Sequence, residues 1–169
     1  MRVAVISDTH DRLDRLRRAL EKAKELGVGV LIHLGDYTSP FTLRELGRSG
    51  IRTVGILGNN DGDPLSLSSV ARDSGVELRH WPAELELDGR RMLLVHGFGP
   101  RDVSVKFAEA LAASGYWDCV LYGHTHQLDL RTIKGTLLLN PGEVFGDLTG
   151  RATFMTLRTE DLAVEVHEL

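Results

Sequence analysis

Within residues 2–59, three short and almost wholly apolar runs alternate with stretches of helical period, a pattern that limits the fold more than any other feature. The runs are RVAVI (2–6), VLIHLGD (30–36) and RTVGILGN (52–59). After the first, Leu13, Leu16, Leu20, Ala23 and Leu26 recur every three or four residues and stop at Gly27. That spacing predicts an amphipathic helix closed by a glycine. A shorter helix from about Phe41 to Leu46 separates the second run from the third. Strands that are apolar on both faces need cover on both, so this half predicts a parallel sheet overlaid by helices.

The second half changes character. ELELDGRRMLLVHG (84–97) places strand-like runs on either side of Asp88-Gly89, a hairpin signal. A helix is expected from about Val103 to Ala113, then strands at DCVLYG (118–123) and GTLLLNPG (135–142). The tail reads as another hairpin, with Leu162, Val164 and Val166 alternating. The expected class is therefore α/β grading into α+β: a two-sheet β-sandwich flanked by helices, in one domain over residues 1–169. No repeat, linker or low-complexity segment interrupts it.

Composition narrows the function classes. At 169 residues, 42% apolar and 26% charged, the chain has the balance of an ordinary globular protein. A net charge of −4 gives no general pull toward nucleic acid or anionic membrane. Cys119 is the single cysteine, which excludes an intrachain disulfide and suits a reducing compartment. No apolar leader precedes the first strand and no run approaches the length of a membrane span, so a cytoplasmic protein without a membrane partner is expected. The oligomeric state is left open.

Short polar clusters stand at the ends of the apolar strands: Asp8 and His10, Asp36, Asn59, His96, then His124 and His126. In α/β sheets, ligands bind outside the carboxyl ends of strands, where loops gather residues that are distant in sequence. Carboxylate, amide and imidazole without thiolate suit divalent ions such as Mn²⁺, Fe²⁺, Ni²⁺ or Zn²⁺ better than a structural zinc site. The set is too large for one ion that keeps an open position. It suits two ions sharing a carboxylate; such pairs stand roughly 3.5–4 Å apart and clamp a phosphoryl centre.

Each cluster also has a plain structural reading. Asp8 or Asp11 ahead of a helix is ordinary capping chemistry, and Gly35-Asp36 is a common turn. Two histidines two residues apart after a buried strand, His124 and His126, rarely serve packing. His33, inside an apolar strand, reads as a satisfied core histidine, and His80 and His167 as surface residues. Cys119 reads as a small buried hydrophobe. The basic run RLDRLRR (12–18) reads as a solvated helix face with Asp14–Arg18 and Arg17–Glu21 pairs. Arg12 alone is retained as a phosphate contact.

In order along the chain, SDTH (7–10), GD (35–36), GNND (58–61), HG (96–97) and GHTH (123–126) resemble the motifs of calcineurin-like metallophosphoesterases. NPGE (140–143) is similar to a further NPG[ST] signature. The short length and this signature resemble the small phosphodiesterase branch, which also contains the non-enzymatic scaffold subunit of retromer. The resemblance implies the four-layer αββα fold. It further implies that Asp8, His10 and His126 bind one divalent ion, that Asn59, His96 and His124 bind a second, and that Asp36 bridges them. A hydroxide bridging the ions would attack phosphorus. The implied ions are manganese first, with nickel, iron, zinc and magnesium as alternatives. His10 and His126 would also contact substrate, which with Asn60 and Asp61 makes the expected catalytic set.

Two departures refine that reading. Many superfamily members carry a histidine after the motif-three asparagine, where it acts as general acid or substrate contact; Asn60 stands there instead. An amide donates a hydrogen bond but cannot hand over a proton, which favours a small phosphodiester, nucleotide-like diesters included, over a monoester. Asp61 is expected to orient the loop. Close relatives also read HGH where this chain reads HGF, so Phe98 puts an aromatic at the site mouth. A scaffold and a phosphomonoesterase are the alternatives.

Overall fold

In the first strand, alternate side chains face different layers, and that alternation organises the molecule. The computed structural model describes residues 1–169. Its first half runs β1 (Arg2–Ile6), α1 (Leu13–Glu25), β2 (Val30–His33), α2 (Pro40–Arg48), β3 (Arg52–Ile56), α3 (Pro64–Asp73) and β4 (Glu77–Arg79). Val3 and Val5 of β1 enter a buried cluster between two sheets, whereas Ala4 and Ile6 face Leu16, Leu20, Leu43, Leu46 and Leu67 of the helices. The second half runs β5 (Ala83–Leu87), β6 (Arg90–Val95), α4 (Arg101–Ala113), β7 (Cys119–Tyr122), β8 (Leu128–Ile133), β9 (Thr136–Pro141), β10 (Thr153–Arg158) and β11 (Val164–Glu168).

One sheet has the order β11-β10-β1-β2-β3-β4 and the other β5-β6-β7-β9-β8. Met92, Leu94, Leu121 and Leu139 of the second sheet meet Val5, Ile32, Val54 and Met155 of the first. On its outer face, Leu93, Val95, Val120 and Tyr122 pack on Ala108 and Ala112 of α4. The result is the expected four-layer αββα fold. No helix is long and apolar enough to cross a membrane.

Register explains where the polar clusters go. β1, β2 and β3 are parallel, with Ile6 opposite His33 and His33 opposite Gly55, so Asp8, Asp36 and Asn59 leave the same edge. β6, β7 and β9 are parallel too, with Val95 opposite Tyr122 and Leu121 opposite Leu139. His96, His124 and His126 therefore leave the matching edge of the second sheet. Asp88 and Gly89 turn the β5–β6 hairpin with φ of 50° and 76°, as a tight primed turn requires.

The structure adds three elements that were not expected: α3, β4 and β8. It also redraws the charge pairs of α1. Arg17 Nε donates to Glu45 Oε2 of α2 at 2.9 Å instead of pairing with Glu21, and Asp14 pairs with Arg12 at 3.2 Å instead of Arg18. Arg17 thus turns to a carboxylate of the neighbouring helix, and Asp14 to the guanidinium at its own helix's N-cap. Nor does an aspartate cap α1, whose N-cap residue is Arg12 with no side-chain cap. His80 is exposed as expected. His167 is half-buried instead, stacked on Phe154 at 4.7 Å and hydrogen-bonded with Thr156 Oγ1 at 2.9 Å. Cys119 is fully buried, and burial pushes its thiol up to about 12.

Candidate metal centre

The strand-end loops hold an unusual backbone. Asp8, His10, Asp36, His124 and His126 all have positive φ, at 51°, 43°, 60°, 65° and 62°. Non-glycine residues seldom adopt this region, and each instance costs on the order of 1–3 kcal/mol unless its surroundings enforce it. The enforcement is visible. Asp8 N–H donates to Gly35 O at 3.1 Å, and Thr9 and His10 N–H both donate to Asp36 O, at 3.0 and 3.1 Å. From the other side, Val144 and Phe145 N–H donate to Ser7 O and Asp8 O, each at 3.0 Å. Gly35 and Gly58 let these loops touch: a Cβ on Gly35 would lie 2.7 Å from His96 Nδ1 and 2.8 Å from Gly58 Cα.

The imidazoles are oriented from behind. His96 Nδ1–H donates to Leu34 O at 2.6 Å, His124 Nε2–H to Gly99 O at 2.9 Å, and His126 Nδ1–H to Glu143 Oε2 at 2.7 Å. These tautomers follow from the hydrogen-bond network, because each outer partner can only accept. The opposite ring nitrogens then present lone pairs inward, where they meet further acceptors. His96 Nε2 lies 2.9 Å from Asn59 Oδ1 and 3.3 Å from Asp36 Oδ1. His124 Nδ1 lies 2.7 Å from the same Asn59 oxygen. On the other side, His10 Nε2 lies 3.5 Å from Asp36 Oδ2, and His126 Nε2 lies 3.5 Å from Asp8 Oδ1.

Acceptor facing acceptor is repulsive unless a positive charge stands between them. Asp8 Oδ1 and His10 Nε2 are buried without any hydrogen-bond partner, an arrangement native structures seldom tolerate. Ligand atoms of Asp8, His10, Asp36 and His126 all lie within 4.8 Å of one another. This donor set fits a divalent cation. The charges point the same way. Burial raises the Asp8 carboxyl above its ordinary range, with His96 and His126 opposing that rise. Burial acts likewise on Asp36 but is outweighed by His96 and Asn60, so its carboxyl is held well below the usual range. Burial opposes the charged form of His96, yet the Asp36 and Asp8 carboxylates raise it overall. The site demands positive charge.

Comparison with known proteins places this chain in a family. The calcineurin-like phosphoesterase superfamily domain matches residues 1–162. The chain belongs to the calcineurin-like phosphoesterase superfamily. A phosphodiesterase of Methanocaldococcus jannaschii is 33% identical over 161 residues, 95% of this chain and 94% of that protein. A solved archaeal phosphodiesterase superposes with a TM-score of 0.88 at 32% identity, covering 100% of both chains. Wild-type Vps29 of Entamoeba histolytica, at 20% identity and a TM-score of 0.65 over 100% of this chain and 98% of its own, shares the fold.

Within this superfamily frame, the remaining expected residues take distinct places. Asn60 is exposed at the rim and directs both its backbone N–H and its Nδ2 at Asp36. Asp61 Oδ2 accepts from Gly58 N–H at 2.6 Å and Asp36 N–H at 3.2 Å, and its Oδ1 accepts from Thr38 N–H at 2.9 Å. It fastens the second loop to the third. Arg12 is paired with Asp147 and Asp14. Phe98 is 44% exposed, between Trp81 at 6.3 Å and Phe107 at 5.2 Å.

The NPGE segment is more than a turn. Asn140 Nδ2 donates to Gly123 O at 2.9 Å and to Thr125 Oγ1 at 3.0 Å, shaping the GHTH loop from below. Phe145 then sets its ring edge on His10 at 5.3 Å. Glu143, fully buried beside His126, was absent from the expected site. A glutamate where the family signature has a small hydroxyl residue was the signal that could have revealed it.

Proposed function

We propose that the chain is a phosphodiesterase with a dinuclear divalent-metal centre. One observation carries this reading: the two oxygens of Asp36 face separate groups of candidate ligand atoms. Oδ2 faces His10, with Asp8 and His126 behind it, and Oδ1 faces His96, with Asn59 and His124. Asp8, His10 and His126 would hold one ion and Asn59, His96 and His124 the other, with Asp36 shared. Bound ions supply Lewis acidity toward the phosphoryl oxygens and acidify water; manganese, nickel, iron, zinc and magnesium all suit oxygen and imidazole donors.

The residues around the centre favour diesters. Asn60 has no proton to give a leaving group, and Asp61 is engaged with backbone N–H groups. Departure would then rest on the leaving group's own stability, which suits aryl diesters better than alkyl esters. Phe98, 44% exposed, would offer an aromatic surface for such a group. Gly97 and Gly99 flank it, and both lie against His124.

The test is hydrolysis of bis(p-nitrophenyl) phosphate by protein of defined metal content. Turnover should vanish with chelator and return with Mn²⁺. Asp36→Asn should lose both ions, since it removes the shared carboxylate. Fully metallated protein without turnover on diesters or monoesters overturns the enzyme reading; retention of two ions in Asp36→Asn overturns the bridging assignment.

A further inference from the structure

Glu143 follows β9 at a fully buried position, and its two oxygens have different partners. Oε1 accepts from Leu148 N–H at 3.1 Å, Thr149 N–H at 2.7 Å and Thr149 Oγ1–H at 2.8 Å. Oε2 has one partner, His126 Nδ1, at 2.7 Å. Two backbone donors thus lock one edge of the carboxylate, and the lock aims the other edge at the imidazole.

We propose that Glu143 is a positioning residue that fixes the tautomer of His126 and so makes Nε2 a ligand. A neutral imidazole carries one proton. While Glu143 presents only acceptors, that proton stays on Nδ1 and the Nε2 lone pair faces Asp8 Oδ1 at 3.5 Å. Were the proton on Nε2, the inward nitrogen would be a donor and could bind no cation. The proposal rests on the metal reading above and adds its control: ligation by His126 is decided at a carboxylate on the opposite side of its ring. Outer partners of this kind typically change metal affinity by 10–100-fold.

Glu143→Gln isolates the effect because it preserves size and removes one acceptor. Its amide oxygen belongs on the edge facing the backbone N–H groups of Leu148 and Thr149, which have no alternative role. The amide NH₂ then faces His126 Nδ1, which must accept, and the imidazole proton moves to Nε2.

Two measurements decide the matter. The first is the imidazole ¹⁵N spectrum of metal-free protein. Wild type should show His126 protonated on Nδ1, Glu143→Gln on Nε2, and Glu143→Asp, which keeps the carboxylate, on Nδ1 again. The second is equilibrium dialysis against Mn²⁺. Glu143→Gln should bind one ion as wild type does and the other about 10–100-fold more weakly. An Nε2–H tautomer in wild type overturns the proposal without needing any variant to fold. An unchanged tautomer and affinity in Glu143→Gln overturns it as well, with the metal reading intact. A wild type that binds no Mn²⁺ sinks the metal reading instead, and with it the ligand role given to His126.

Discussion

Asn60 grips both oxygens of Asp36, with its backbone N–H on Oδ1 at 2.8 Å and its side-chain amide on Oδ2 at 2.7 Å. The residue at the expected proton donor's position therefore steadies the Asp36 carboxylate. Asn60→His would supply an acid while keeping the backbone half of that grip. General-acid assistance is typically worth about 10²–10⁴ in rate. The ratio of monoester to diester kcat/KM should rise at least about tenfold, read with p-nitrophenyl phosphate and its bis ester. An unchanged ratio would show that the missing acid does not set substrate preference.

Gly58 is the tightest point of the site. A Cβ there would overlap Asp36 Oδ1 and lie 2.9 Å from His96 Cε1. The backbone cannot retreat, because Gly58 N–H is held by Asp61 at 2.6 Å. Gly58→Ala should destabilise by about 1–3 kcal/mol, the usual range for overpacking, and weaken metal binding. Gly62→Ala serves as control, since a Cβ there meets nothing within 4 Å. Equal melting temperatures for the two variants would refute the crowding argument.

His33 should contribute to acid sensitivity. It is fully buried, accepts from Gly35 N–H at 3.1 Å and stacks on Tyr37 at 4.0 Å, and burial lowers its imidazole to about 3. In the unfolded chain the same group titrates near 6.5. Between those values the unfolded chain binds the proton and the folded one does not. Stability on this account is intact above pH 6.5 and falls as pH drops toward 3, by at most about 1.4 kcal/mol per pH unit. Chemical denaturation across that window should give a shallower slope for His33→Gln than for wild type. Parallel slopes would assign the acid response to other groups.

Phe98 should sense the leaving group. Phe98→Ala ought to raise KM several-fold for aryl and nucleotide diesters, with little change for dimethyl phosphate, which has nothing to stack. Base–aromatic contacts are worth about 1–3 kcal/mol where they form. A uniform loss on all substrates would mean that the ring only packs against Trp81 and Phe107.

Much of this was legible because the relevant signals are local. Continuous apolar runs mark β1, β2 and β3, and polar residues immediately after strands mark the centre. What escaped was either weakly periodic or set from a distance. α3 is serine-rich and leaves Leu65 85% exposed, so its spacing is poor, although Asp63 caps it by accepting from Ser66 N–H at 3.1 Å. β8 lies at a sheet edge and is exposed or half-buried along its length, with apolar and polar residues in equal number. Arg17 chose Glu45 of another helix over its own turn, a preference that only packing could reveal. Glu143 acts across 17 residues on His126, with no periodicity to announce it.

The apolar layer between the sheets has one further consequence. Contacts among Val5, Ile32, Leu94, Leu121 and Leu139 are non-directional; they set the spacing of the two sheets but are tolerant of a small slide between them. The polar end is not tolerant. His96 of one sheet reaches Leu34 O of the other at 2.6 Å, and His124 N–H reaches Asp8 Oδ2 at 3.2 Å. The reactive end is thus the index mark by which the two halves of the sandwich are aligned, and an ion seated there would act as a rivet through both.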